Sequence, residues 1–112
     1  MVNTPYTPER GDLVWLDFNP QLGHEQRGRM PSLTVSFTAY NEKIGLALFC
    51  PITSKIKAYP FEVALEGKTI KGAVLCDQVK SLDWRERNVE FIEKIDPEKM
   101  EAVIEKLEVL IR

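Results

Sequence analysis

The residues of this chain best suited to chemistry fall in three short runs. The first, Gly23-His24-Glu25-Gln26-Arg27-Gly28-Arg29-Met30-Pro31, gathers the only His, a carboxylate, an amide and two guanidiniums beside glycines that would let it move as a flap. A Glu and an Arg held together suit phosphate chemistry: one moves a proton, the other stabilises charge on the equatorial oxygens. The second, Pro51-Ile52-Thr53-Ser54-Lys55, lies where an apolar run ends. There the hydroxyl of Thr53 or Ser54 can be aimed at a phosphate, with Lys55 and Lys57 adding charge. In the third, Asp77-Gln78-Val79-Lys80, alternation puts Gln78 and Lys80 on one face, an amide to read a base edge and an ammonium to hold the backbone. Each run taken alone also fits turn chemistry or a solvated surface. The chain has no P-loop, no GxSxG elbow, no HExxH and no dinucleotide fingerprint.

The elements that must position these runs are mostly short strands. Leu13–Phe18, Leu33–Phe37, Ile44–Cys50, Phe61–Leu65, Ala73–Cys76 and Val89–Ile95 read as strands bounded by turn residues. The second starts just after Pro31, and the third is apolar enough to be buried on both faces. Pro20–Pro31 and Ser54–Pro60 are long polar connections of the kind that often carry function. Many short strands at this spacing suggest an antiparallel sheet or small barrel rather than a βαβ fold. One helix closes the chain, with Asp96 as N-cap and Pro97 at the first helical position. Met100, Val103, Ile104, Leu107, Leu110 and Ile111 recur at helical period and form a stripe expected to pack on the sheet, with a partner-binding groove as the second reading.

With 112 residues the chain suits one domain, and 44% hydrophobic with 29% charged residues is ordinary globular composition. Cys50 and Cys76 sit in apolar runs without metal-ligand spacing and read as small buried hydrophobes. No apolar run is long enough to span a membrane and no leader pattern opens the chain, so the expected compartment is the cytoplasm. Fifteen Lys and Arg face 17 Asp and Glu, which argues against broad, sequence-independent binding to nucleic acid. Residues 86–112 hold eight of the acids and five of the bases, so the first 85 residues are slightly basic and leave room for a small basic groove.

Taken together, the segments Gly11-Asp12-Leu13-Val14-Trp15, Gly23–Gly28, Tyr40-Asn41, Pro51–Lys55, Tyr59-Pro60-Phe61-Glu62-Val63 and Asp77–Arg85 resemble the MazF/PemK toxins of bacterial toxin–antitoxin systems. The resemblance runs in order along nearly the whole chain. It implies a mainly β fold over residues 1–112, an SH3-like barrel or strongly twisted antiparallel sheet ending in a helix, assembled as a homodimer. It also implies an endoribonuclease that needs neither metal nor cofactor and cuts single-stranded mRNA at short sequences, shutting down translation. A cognate MazE-like antitoxin would silence it by laying an acidic tail along the RNA groove. Carried over by residue, the resemblance makes Thr53 catalytic. It assigns Glu25 and Gln26 to the loop that contacts RNA and shapes the site, and Gln78 to the groove. His24, Arg27, Ser54, Lys55, Lys57 and Lys80 are the accompanying RNA-binding candidates. The family's catalytic Arg falls at position 30, where this chain has Met30, which can neither hold phosphate charge nor move a proton. Arg29 is adjacent, but neighbours on an extended chain point to opposite sides, so it could replace that Arg only through a bulge. Ser32, Phe37 and Ala58 depart from the commoner family residues as well. Two other readings remain open at this point: a toxin-fold protein that binds antitoxin or RNA without cutting, and a gyrase-type poison of a protein target on the same fold.

Overall fold

Strand β1 (Asp12–Asp17) carries two alternating apolar sets, Leu13 with Trp15 and Val14 with Leu16, and each set faces a different core. In the computed structural model, which describes residues 6–17 and 28–112, β1 lies between β2 (Arg29–Thr34) and the strand formed by Glu90–Lys94, the last of the sheet. Next to β2 runs β3 (Leu46–Thr53). The hairpin of β4 (Glu62–Glu66) and β5 (Lys71–Leu75) joins through β5, and β6 (Lys80–Asp83) also pairs with β3. The Glu90–Lys94 strand is thus β7, and every pairing is antiparallel.

β3 is the pivot of this curled sheet. It meets β6 over Leu46–Phe49 and β5 over Ile52–Thr53. Pro51 falls at the change of partner, and Pro31 directly before the β2–β3 ladder begins at Ser32, places where a missing N–H is tolerated. One face of the sheet presents Leu13, Leu33, Cys50 and Ile52, closed by Val63 and Val74 of the hairpin and by α2 (Pro97–Ile111) through its fully buried Val103. The other face presents Val14, Leu16, Ala47 and Phe49 beneath Trp84. The mainly β architecture with a closing helix is therefore the expected one.

At α2 the capping is as the sequence predicts: the Asp96 carboxylate accepts from the Glu98 N–H at 2.9 Å, and Pro97 opens the helix. The apolar stripe packs on the core through Met100, Val103 and Leu107, but Leu110 and Ile111 run past the sheet and are exposed. Both cysteines are buried, free thiols, and burial pushes Cys50 up to about 12 and Cys76 up to about 11. Among the described residues no helix is long and apolar enough to cross a membrane.

Three expectations need correction. The second strand runs over Arg29–Thr34 instead of Leu33–Phe37, because Pro31 pairs with Trp15 rather than marking a boundary. Phe37, 60% exposed, begins the short helix α1 (Thr38–Ile44), so the third strand starts at Leu46 rather than Ile44. α1 has no side-chain cap. It is held by the buried Asn41, whose Nδ2 donates to Pro8 O at 2.8 Å and whose carbonyl accepts from Trp84 Nε1 at 3.3 Å. Gly45, at φ 83°, ends it in the left-handed region. Lastly, β3 is not buried throughout: Phe49 and Cys50 are sealed on opposite faces, but Leu48 is exposed.

Candidate functional site

Thr53 is the last residue of β3, and its hydroxyl stands at the edge of a cleft of about 290 Å³. The Lys55 N–H donates to Thr53 Oγ1 at 3.1 Å, which leaves the threonine's own O–H to donate into the cleft. Lys55, Lys57, Tyr59, Asp77 and Gln78 complete the walls with Glu62. The Tyr59 hydroxyl donates to the Asp77 carboxylate, a bond that raises the phenol above its ordinary value and keeps it a neutral donor. Glu62 Oε1 accepts from the backbone N–H of Lys57 at 3.2 Å and of Ala58 at 3.1 Å, folding the lysine-bearing loop back on β4. Ala58 holds φ 58° there, a left-handed conformation that costs a residue with a Cβ roughly 1–2 kcal/mol. The Lys106 ammonium on α2 donates to Pro60 O at 2.7 Å and ties down the other end of the loop.

The position of Thr53 itself depends on Gly72 of β5. A Cβ on Gly72 would stand 2.1 Å from Thr53 O, so only glycine lets the two strands approach.

A second cleft, about 200 Å³, opens on the same face of the sheet. Met30 and Ser32 come from β2, and Phe49 and Pro51 from β3, with Leu16 and Leu82 filling the floor and Lys80 and Arg87 adding charge. Ser32 pairs with Pro51 in the β2–β3 ladder, and Thr53 lies two residues further along the same side of β3. Gln78 lines both clefts, which makes them two halves of one groove. It belongs to a 3-10 turn, Cys76–Gln78, anchored by the buried Cys76, whose N–H donates to Phe61 O at 2.9 Å. Gln78 and Lys80 thus share a wall as expected, although through this turn and not by strand alternation.

The remaining predicted residues divide. Arg29 is not a wall of either cleft. The β1–β2 ladder runs without a bulge from Leu13↔Leu33 to Asp17↔Arg29, and the guanidinium pairs with Asp17 Oδ1 at 2.7 Å while donating to Asn88 O at 3.0 Å. Ser54 is exposed and lines neither cleft. His24, Glu25, Gln26 and Arg27 lie outside the described residues. Sequence reasoning missed Arg87, which reaches the groove from the turn after β6 with no motif to announce it. A further cavity of about 540 Å³, between the β4–β5 hairpin and the start of α2, is lined by none of the predicted site residues.

The family to which this fold belongs is shown by its similarity to known proteins. A family model described as PemK-like, MazF-like toxin of type II toxin-antitoxin system matches residues 9–111. The chain belongs to the MazF-like toxin family. Within that family it is 43% identical to the endoribonuclease toxin MazF of Escherichia coli K12, over 95% of this chain and 96% of that protein. The endoribonuclease PemK of Escherichia coli is 32% identical over 92% of this chain and 81% of its own length. Among solved structures, MazF of Deinococcus radiodurans superposes with a TM-score of 0.84 at 46% identity, covering 96% of this chain and 98% of that one. A MazE–MazF structure from the same organism gives 0.85 at 41% identity, covering 96% and 97%. The chain is thus a homologue of MazF endoribonucleases, with their curled antiparallel sheet and C-terminal helix.

Proposed function

We propose that this MazF-like chain is an endoribonuclease that cleaves single-stranded mRNA at short sequences without a metal ion and serves as the toxin of a toxin–antitoxin pair. The observation that carries the reading is the Thr53 hydroxyl, oriented by the Lys55 N–H at the edge of a two-cleft groove joined at Gln78. In the cleavage a ribose 2′-oxygen bonds to the adjacent phosphorus and the bond to the 5′-oxygen breaks. The 2′-hydroxyl proton leaves and the departing oxygen gains one, so a cyclic phosphate and a free 5′-hydroxyl result with no further reactant. Thr53 donates to a phosphate oxygen, and Lys55, Lys57 and Lys80 hold the backbone. Glu25 takes the proton-moving role that suits a carboxylate beside a guanidinium, Gln26 contacts RNA as the family resemblance implies, and His24 and Arg27 add further contacts to it. Unstacked bases in a single strand can be read one at a time, which suits an amide such as Gln78.

Met30 supports a weaker enzyme than one with a cation there, since removing one charge-stabilising donor costs about 10²–10³ in rate. It also favours one second reading, a toxin-fold protein that binds RNA or antitoxin without cutting. The MazE–MazF structure of the Deinococcus relative supports a MazE-like antitoxin as partner. The functional form is a homodimer, whose stable association needs about 800 Å² buried per subunit. Purified protein incubated in chelator with a pool of unstructured RNA tests the nuclease reading directly. It predicts products with free 5′-hydroxyl ends at a recurring short sequence. RNA that is bound yet left intact would support the second reading instead.

A further inference from the structure

The cleft that Met30 of β2 helps to line also has two cations, Lys80 and Arg87, and one acid, Asp17, in its walls. Arg87 is held in place by the turn that carries it and by β1. The Asp83 carboxylate Oδ1 accepts from the N–H of Arg85 at 3.1 Å and of Glu86 at 3.0 Å, which turns the chain sharply after β6. The Arg87 N–H then donates to Asp83 O at 3.2 Å. Asp17 grips the residue twice more: its N–H donates to Arg87 O at 2.8 Å, and its carbonyl accepts from Arg87 Nη1 at 3.0 Å. Asp17 is itself buried and secured through its carboxylate, by Arg29 at 2.7 Å and by Asn88 Nδ2 at 2.7 Å. The guanidinium that lines the cleft is therefore pre-oriented, so little side-chain entropy remains to be lost on binding. A planar fork of this kind matches phosphate oxygens in pairs, as an ammonium does not.

We infer that Arg87 is the phosphate-binding cation of this groove, supplying from the β6–β7 turn the charge that Met30 cannot supply from β2. The inference rests on the nuclease reading for its catalytic consequence, and on the cleft alone for its binding consequence. Arg87 contacts the phosphate flanking the base held near Gln78, and its charge offsets the negative charge that builds on phosphorus in the transfer.

The test measures two quantities on the full chain: the salt dependence of binding to a labelled, unstructured single-stranded RNA 12-mer, and the rate of cleavage of the same RNA. Arg87→Gln should flatten the slope of log K against log salt by about 0.7, one phosphate contact on a single strand. It should also slow cleavage by about 10²–10³. Arg87→Lys should keep the slope and lose part of the rate, and Met30→Arg added to Arg87→Gln should recover part of what was lost. Lys99→Gln, which removes the same charge from α2 away from the cleft, should change neither quantity. A parent that binds without cutting, with the slope still flattened by Arg87→Gln, would end the nuclease reading and uphold the phosphate contact. A cutting parent whose rate and slope are untouched by Arg87→Gln would overturn the inference and leave the nuclease reading standing. An equal flattening by Lys99→Gln would also overturn it. Melting curves accompany each variant. Should Arg87→Gln fail to fold, Arg87→Lys decides: a kept slope with a lowered rate upholds the inference, and an unchanged rate overturns it.

Discussion

On β1, β2 and β3 the residues of one parity, Leu13, Leu33, Cys50 and Ile52, are sealed beneath α2 and the β4–β5 hairpin. Those of the other parity run from Leu16 and Phe49, packed under Trp84, out to Met30, Pro51 and Thr53 in open clefts. The same strands therefore carry a core on one side and a site on the other, and what differs is the element that covers them. A four-turn helix with a period-matched apolar stripe closes the first face. Trp84, with Tyr6, Leu82 and Val89 packed beside it, covers only part of the second, and the uncovered remainder holds the chemistry. Sites built this way draw their rigidity from the sealed side.

That contrast can be broken from the sealed side first. Leu33→Ala leaves a cavity where the side chain is fully buried, and should lower unfolding free energy by about 2–5 kcal/mol in a urea titration. The cleavage rate per folded molecule should stay at the parent's value. If the rate falls with stability, the two faces are not independent. Gly72→Ala acts on both sides together. Its Cβ meets the Thr53 carbonyl, so stability should drop by about 1–3 kcal/mol and cleavage should fall too, read by melting and by single-turnover rates on one preparation.

The smallest effect lies far from the groove. The Glu93 carboxylate accepts from the backbone N–H of Ile70 at 2.9 Å, Thr69 at 3.0 Å and Lys68 at 2.9 Å. Those bonds, Ile70's first, hold it below the usual carboxylate range against an opposing contribution from burial. A carboxyl depressed in the folded state adds stability above its unfolded value and loses it as pH falls through the folded one. The parent's melting temperature should thus drop more steeply below about pH 4.5 than that of Glu93→Gln, while cleavage at neutral pH stays equal.

Much of this was legible in the sequence, because the core strands are short apolar runs bounded by turn residues and the last helix carries its own cap and period. Asp96, Pro97 and Val103 could be placed without coordinates. α1 could not, since seven residues without a side-chain cap owe their helix to Asn41 bridging Pro8, Ser36 and Trp84. Pro31 misled because proline is disfavoured in strands except where a ladder starts, and whether a ladder starts there is a tertiary fact. Thr53 was visible as a hydroxyl at the end of an apolar run. Its link to Met30 across two clefts depended on β2–β3 register, which no local pattern gives. Arg87 was hidden for a related reason: its place in the groove comes from Asp17, seventy residues away in the chain.

The most direct test of the whole account is the cleavage rate of Thr53→Ala beside the parent on one unstructured RNA in chelator, with product ends mapped. The account predicts 5′-hydroxyl products from the parent, a loss of about 10²–10³ in rate for the variant, and superimposable melting curves. Equal rates from both proteins would contradict it.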